Sequence, residues 1–126
     1  MAIIGGKGLA AALALSRFGE RIGSQALIYN PGVFYLFFRV ARLSAPVFAD
    51  AVCSVFGHVK TVADIGCGAG GYSAELQRRG LEVYAGEYAR LGRTIARLQG
   101  VKARPFDVTK PETAPTRTFD LGFSLE

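Results

Sequence analysis

Glycines and acidic residues with the chemistry to bind a ligand lie together around residue 66. An apolar run ends at Ile65, and Gly66, Gly68 and Gly71 follow within a few positions. Glycine lets the backbone turn sharply and come close to a ligand, because no Cβ stands in the way. A helix that begins just past Gly71 offers free N–H groups and a partial positive charge. The pattern therefore predicts a ligand-binding loop between a strand and a helix.

Two templates fit these glycines. The spacing of Gly66, Gly68 and Gly71 satisfies G-x-G-x-x-G, which is typical of dinucleotide-binding loops. The second template, D-x-G-x-G-x-G, is satisfied by Asp64, Gly66, Gly68 and Gly70. An acid directly before the loop suits a cationic ligand better than a pyrophosphate, so Asp64 favours the second template.

Two further acids follow later strands. Glu87 lies 21 positions after Gly66, which is the offset of an acid that binds ribose hydroxyls in nucleotide-binding folds. Asp107 follows the apolar end of a third strand at Phe106, where a side-chain acceptor can bind an adenine amine. Each acid also has a structural interpretation, since Asp64 and Asp107 can cap helices or loops and Glu87 can cap the following helix.

The order and spacing of four segments resemble the first four motifs of class I (Rossmann-like) S-adenosylmethionine-dependent methyltransferases of the small-molecule type. These segments are residues 64–70, 83–87, 106–107 and 119–126. The resemblance covers residues 60–126 and implies S-adenosylmethionine as the cofactor. It implies that the loop wraps the methionine part, that Glu87 holds the ribose, and that Asp107 with the Val108 backbone binds the adenine. The cofactor-binding residues expected on this basis are Asp64, Ile65, Gly66, Cys67, Gly68, Gly70, Glu87, Tyr88, Asp107, Val108 and Ser124.

The same resemblance implies in-line attack by an O, N, C or S atom of an acceptor on an activated methyl group. This chemistry requires no catalytic side chain and no metal, and the sequence shows neither pattern. His58, the only histidine, precedes the first strand and is expected to be a structural or surface residue. An apolar small molecule is the expected acceptor, because cap helices in this family often close over the pocket. The aromatic residues that suggest it are Phe34, Tyr35, Phe37 and Phe38.

Composition indicates a globular protein, with half of the residues hydrophobic and a net charge of +5. Nucleic acid is not the expected partner, because Arg90, Arg93 and Arg97 share a helical face without aromatic residues to stack on bases. The mean hydropathy of +0.25 suggests a nearly all-buried parallel sheet or a surface for a partner. Two cysteines, Cys53 and Cys67, lack metal-ligand spacing and are expected to stay reduced, which favours a cytoplasmic location.

The N-terminus is interpreted as an ordinary helix start. Lys7 followed by the apolar residues 9–15 faintly resembles a signal peptide, but the apolar run is short and glycines precede it. No apolar run reaches the roughly 18 residues of a transmembrane helix, so none is expected.

Residues 1–58 are predicted to form a helical N-terminal extension. The expected helices cover residues 9–18, 19–29, 33–43 and 44–56, with a turn at Asn30-Pro31-Gly32. In the third helix the predicted core stripe is Leu36, Phe37, Val40 and Leu43, and in the fourth it is Val47, Ala51, Val52, Val55 and Phe56. The third helix is also apolar on its opposite side, which indicates burial on two sides or contact with a ligand, partner or membrane surface.

Residues 59–126 are predicted to form an α/β unit with a Rossmann-like parallel sheet. The expected strands are residues 61–65, 81–85, 101–106 and 119–125, and a loop covers residues 109–118. The expected helices are residues 72–79 and 90–98, the latter packing through Leu91, Ile95 and Leu98. Strands separated by helices imply right-handed crossovers, and the resemblance implies strand order 3-2-1-4.

The family's sheet has seven strands, so this chain resembles the N-terminal half of a methyltransferase domain, and alone it is expected to be inactive and to self-associate through its open edge. The alternative is a natural short protein that a partner chain completes. Three functions compete: a methyltransferase active in full-length form, a non-catalytic cofactor-binding module, and an NAD(P)-binding Rossmann domain.

Overall fold

A computed structural model describes residues 6–125 of the 126-residue chain. Three helices come first: α1 (Gly6–Ile22), α2 (Gln25–Ile28) and α3 (Pro31–Val55). Strands and helices then alternate as β1 (Thr61–Ile65), α4 (Gly71–Arg78), β2 (Glu82–Glu87), α5 (Arg90–Leu98), β3 (Ala103–Pro105) and β4 (Leu121–Phe123). A short 3₁₀ turn, Pro111–Thr113, interrupts the connection between β3 and β4.

The four strands form one parallel sheet in the order β3-β2-β1-β4. Val62 at the centre is paired with Val83 on one side and with Leu121 on the other. The predicted α/β, Rossmann-like fold and its strand order are therefore confirmed. Strand order reverses at β1, and in open parallel sheets ligands bind at the carboxyl ends of the strands beside such a reversal.

One face of the sheet is covered by α3, α4 and α5, which together form two apolar clusters. The cluster between α3, α4 and the sheet contains Ala49, Val52, Val59, Val62 and Leu76. The cluster between α4, α5 and the sheet contains Cys67, Ala74, Ala85, Ala96, Val101 and Ala103. The N-terminal helix α3 is thus part of the core under the sheet.

The predicted turn and two following helices are wrong, because α3 runs unbroken from Pro31 to Val55. Asn30 is its N-cap, and its side-chain oxygen accepts the N–H groups of Gly32 (3.0 Å) and Val33 (3.3 Å). A proline in the first turn loses no helical hydrogen bond, so Asn-Pro-Gly begins a helix here. Pro46 lies inside the helix, where the sequence suggested a new start.

The predicted core stripes of this segment are also wrong. Leu43 is 79% and Val47 is 69% exposed, and of the second stripe only Val52 is buried. The residues that α3 buries are Gly32, Val33, Phe34, Ala41, Ala45, Ala49 and Val52. Small residues determine which face of α3 is buried, because the helices approach closely there. A Cβ on Gly71 of α4 would lie 2.4 Å from the Ala41 Cβ.

Helix α5 shows the same effect. Its predicted core residues Leu91 and Leu98 are 36% and 84% exposed, whereas Gly92 and Ala96 are buried. A Cβ on Gly92 would lie 2.8 Å from the Phe34 ring, so small residues again form the contact.

Several element bounds differ from their predictions. Helix α1 is longer than predicted, and α2 is only four residues long. Helix α1 contains Gly19, where a Cβ would lie 2.7 Å from the Leu27 Cβ. Strand β2 extends to Glu87, β3 is only three residues long, which is shorter than predicted, and β4 begins after Asp120. The Asp120 carboxylate accepts the N–H groups of Lys60 and Thr61 at 2.9 Å, so it binds the start of β1 before strand pairing begins.

Because α3 is continuous, it is long and apolar enough to cross a membrane by length and composition alone. Its 25 residues contain an 18-residue window of mean hydropathy 1.3, and 39% of that window is buried inside the protein. The expectation of no such segment rested on the length of the uninterrupted apolar runs, whereas this helix reaches the length with polar residues among the apolar ones. Core helices of soluble proteins meet the same criterion, so this helix by itself assigns no membrane topology.

Candidate functional site

The glycine loop leaves the end of β1 in a conformation that side chains rarely adopt. Gly66, Gly68 and Gly70 have φ angles of +78°, +55° and +81°. The N–H groups of Gly66 and Cys67 both donate to the Gly86 carbonyl, at 2.8 and 3.0 Å. These bonds fix the loop to the end of β2, and α4 begins directly after Gly70.

Glu87 joins this loop to the connection that leads to α5 through two hydrogen bonds. Its Oε2 accepts the Gly68 N–H at 2.8 Å, and its Oε1 accepts the Ala89 N–H at 2.7 Å. The residue is 4% exposed, and Arg93 reaches its backbone carbonyl, at 2.9 Å. A carboxylate has about four acceptor positions, so Glu87 keeps capacity for further donors from the cavities.

Asp64, at the end of β1, is 2% exposed and accepts a hydrogen bond of 2.7 Å from the Ser73 hydroxyl. Burial is the main reason that the pKa of Asp64 is raised from 3.8 to about 7; the Ser73 bond lowers it and the Glu87 charge raises it. Within residues 6–125, no Lys, Arg or His side chain forms an ion pair with Asp64 or Glu87. Among the described residues the site therefore holds two buried carboxyl groups without an ion-pair partner, and the cation beside them is Arg93, at the Glu87 backbone carbonyl.

Cys67, in the middle of the loop, is a protonated thiol. Burial, followed by the charges of Asp64 and Glu87, raises the pKa of Cys67 far above its ordinary value. A neutral thiol is a poor nucleophile and a poor metal ligand, so Cys67 serves packing here.

A cavity of about 550 Å³ lies between the loop and the N-terminal helices. One side is formed by the loop and the two carboxyl groups. The other is formed by mostly apolar residues of α1 and α3, together with the polar Ser16 and Glu20 of α1. Phe34 and Phe37 contribute edge-to-face rings, 5.8 Å between centroids, while Tyr35 and Phe38 point elsewhere, to Arg39 and Arg42. The remaining α1 and α3 lining comes from Leu13, Ser16, Glu20, Val33, Leu36, Val40 and Ala41.

A second cavity, of about 450 Å³, lies at the carboxyl ends of β2 and β3. It shares Tyr29, Gly66 and Glu87 with the first cavity, so the two meet at the loop. Its other lining residues are Gln25, Ile65, Tyr88, Phe106, Asp107, Val108, Thr109 and Ser124. Volumes of this size are typical of small-molecule sites.

Asp107 both organises its loop and lines the second cavity. Its Oδ1 accepts the backbone N–H (3.0 Å) and hydroxyl (2.7 Å) of Thr109, and these bonds hold its pKa below the ordinary value. The structural interpretation of this acid is therefore confirmed, while its Oδ2 lies 3.6 Å from the Lys110 Nζ.

Ten of the eleven predicted site residues line one or both cavities. Asp64, Cys67 and Gly68 line the first, Gly66 and Glu87 line both, and Ile65, Tyr88, Asp107, Val108 and Ser124 line the second. Gly70 instead packs on α5, where its missing Cβ would lie 2.8 Å from the Ala96 Cβ.

Sequence reasoning missed the residues that support the site from other elements. Ser73 binds Asp64 from α4, the Gln99 side chain donates to the Ala69 carbonyl, and Tyr29 lines both cavities. The α1 contribution had a usable signal, because Leu13, Ser16 and Glu20 have the spacing of one helical face.

Among residues 6–125, no group of three or more His, Cys, Asp or Glu side chains is placed to hold a metal ion. Comparison with protein-family models and with curated proteins gives no match.

Proposed function

We propose that the chain binds S-adenosylmethionine across the two cavities and is the cofactor-binding part of a methyltransferase that acts on an apolar small molecule. One observation carries this proposal. Asp64 and Glu87 are buried carboxyl groups beside a left-handed glycine loop, with no ion-pair partner in the described part of the chain. Buried charge is costly unless it is paired, so this arrangement favours a cationic ligand.

The residues present fit the parts of this cofactor. The first turn of α4, which begins at Gly71, offers backbone N–H groups to its carboxylate, and Asp64 offers an anion to its ammonium group. Glu87, at the junction of the cavities, can accept ribose hydroxyls, and the second cavity offers Asp107 and the Val108 backbone to the adenine.

The bound cofactor would supply a methyl group on a positively charged sulfur, which is an electrophile. The chain's own contribution is to orient the acceptor and exclude water. Phe34 and Phe37 do both from α3, because they form an apolar wall of the same cavity that the loop lines. The apolar character of that wall favours an apolar acceptor over a polar one.

A dinucleotide fits this site less well. Its pyrophosphate would carry two negative charges to a loop that directly follows Asp64. Like charges at close range disfavour such binding. Asp64 therefore favours S-adenosylmethionine over NAD(P) as the ligand of this loop.

Calorimetric titration of the chain with S-adenosylmethionine, with its demethylated product and with NADH tests the cofactor assignment. The two sulfur compounds should bind and NADH should not. Gly68→Leu should abolish binding, because a side chain at φ +55° would strain the loop and stand in the backbone's path to the ligand.

Gly80→Leu is the matched control. Gly80 has a similar φ of +84° with open space around it, so it imposes backbone strain away from the site. Binding that survives Gly68→Leu, or that fails equally in Gly80→Leu, would refute the assignment of the loop.

A second experiment separates an enzyme from a binding module. Tritium transferred from the labelled methyl group into an apolar acceptor indicates a methyltransferase. Tight cofactor binding without transfer indicates a non-catalytic or partner-completed module.

A further inference from the structure

Helix α1 exposes an apolar stripe that neither the core nor the cavities use. Leu15, Phe18 and Ile22 are 43%, 53% and 57% exposed, and their spacing places them along one side of the helix. The other side of α1 lines the first cavity with Leu13, Ser16 and Glu20. The stripe therefore has no partner within the described part of the chain.

Basic side chains accompany this stripe. By helical geometry Lys7, Arg17 and Arg21 lie along one border of it. Residues 6–49 contain five basic side chains and one carboxylate, that of Glu20, which lines the cavity on the opposite side of the helix. The outward side of α1 is thus apolar and positively charged.

Helix α3 also exposes apolar side chains, of which Val40 lines the first cavity. Val40, Leu43 and Val47 are 50%, 79% and 69% exposed at helical spacing, and Arg39 and Arg42 neighbour them. Two helices of the N-terminal segment therefore combine exposed apolar side chains with arginine. On α3 an acid, Asp50, follows Val47 by about one turn and pairs with Arg79.

We propose that α1 docks on an anionic lipid surface, with Leu15, Phe18 and Ile22 in the headgroup–acyl boundary and Lys7, Arg17 and Arg21 on the headgroups. An apolar helical face bordered by Lys and Arg is what binds in the plane of such an interface. Each basic residue near an anionic surface adds attraction that salt screens. Helix α1 then lies between the lipid surface and the first cavity. This proposal does not depend on the cofactor assignment.

Co-sedimentation of the full chain with vesicles tests it. Vesicles of phosphatidylcholine with about one third phosphatidylglycerol should bind the chain, and binding should weaken as salt is raised. Pure phosphatidylcholine should bind it less. Phe18→Ser with Ile22→Ser should reduce binding at least about tenfold, since burial of two apolar side chains is lost. Arg17→Gln with Arg21→Gln should also reduce it about tenfold, and only on anionic vesicles.

The control changes the same residue types on α5. Leu98, 84% exposed, and its neighbour Arg97 are replaced as Leu98→Ser with Arg97→Gln, which should leave binding unchanged. All these positions are exposed, and circular dichroism checks that each variant folds.

Four results would overturn the proposal. The first is no difference between anionic and neutral vesicles, and the second is equal loss of binding in the α5 control. The third is an assembly of copies, without lipid, that Phe18→Ser disrupts, which would make the stripe a protein interface. Binding that resists both high salt and alkaline carbonate would also contradict it, because it indicates a spanning α3.

Discussion

At the scale of single residues, Asp64 is the group whose protonation the structure controls most strongly. A cationic ligand favours the ionised carboxylate, and burial holds the pKa of Asp64 at about 7. Below that pH, binding must therefore release a proton, and affinity for S-adenosylmethionine should rise with pH by up to about tenfold per unit and level off above pH 7. Calorimetry in two buffers of different ionisation enthalpy counts the protons released. In Asp64→Asn the affinity should be weaker and nearly constant over this range, and a wild-type affinity equally constant would contradict the role of Asp64.

The raised pKa of Asp64 also predicts how the stability of the ligand-free protein depends on pH. The folded-state pKa lies above the ordinary 3.8, so the native state binds more protons than the unfolded chain between about pH 4 and 7. The contribution of Asp64 to the free energy of unfolding therefore falls as pH rises through this window. Urea denaturation at pH 5 and pH 7 should show a steeper decline for wild type than for Asp64→Asn.

Glu87 is expected to serve the loop and the ligand together. Hydrogen bonds to a charged group are worth roughly 1.5–3 kcal/mol, so Glu87→Ala should weaken cofactor binding tenfold or more. Loss of the hydrogen bond between Gly68 and Glu87 alone would also weaken binding. A cofactor analogue lacking the 2′-hydroxyl therefore separates the loss of this bond from the loss of ribose binding. Wild type should discriminate against the analogue and the variant should not. The same discrimination in both proteins would leave Glu87 with a structural role only.

At the scale of elements, close helix contacts through small residues determine how the N-terminal helices pack. A Cβ on Gly32 of α3 would lie 2.2 Å from the Ala12 Cβ of α1. Gly32→Ala should therefore force the helices apart and destabilise the protein by about 1–3 kcal/mol. Adding Ala12→Gly removes the clashing atom and should recover part of that loss.

Denaturant titration measures both variants. Gly57→Ala is the control, because its new Cβ would meet only the Cys53 carbonyl at an ordinary 3.6 Å. A Gly32→Ala protein as stable as the control would show that α1 does not pack on α3 in this way.

At the scale of the whole molecule, β4 forms an edge of the sheet. It pairs with β1 on one side, and on its other side, next to apolar Leu121 and Phe123, it has no strand partner among residues 6–125. Such an edge recruits another strand, so the chain should self-associate with rising concentration. Gly122→Lys should reduce this, because Gly122 is exposed, its surroundings are open, and a charge on an edge strand discourages pairing.

Sedimentation velocity over a concentration series gives the measurement. Gly6→Lys adds the same charge at another open position and should leave association unchanged. A wild-type chain that stays monomeric throughout the series would contradict the prediction.

The sequence by itself determined the sheet and the glycine loop. Alternating apolar segments and turn residues indicated four strands, and the resemblance supplied the order that the structure confirms. The left-handed φ angles of Gly66, Gly68 and Gly70 were predictable from the residue type, because few residues other than glycine adopt them without strain. The position of Glu87 at the end of β2 followed from the spacing of the chain.

Only the tertiary structure decided how the helices meet and what the acids bind. The hydropathy of α3 favoured its large apolar residues as the core, yet Ala41, Ala45 and Ala49 are the buried residues. At Ala41 the reason is visible, because Gly71 on the facing helix α4 allows close approach. The hydrogen bonds from Ser73 to Asp64 and from Gly68 to Glu87 join residues of separate elements. A local sequence pattern does not contain such pairs. Burial, and with it the pKa of Asp64, depends on everything packed around a residue, so it is a property of the folded molecule rather than of the chain.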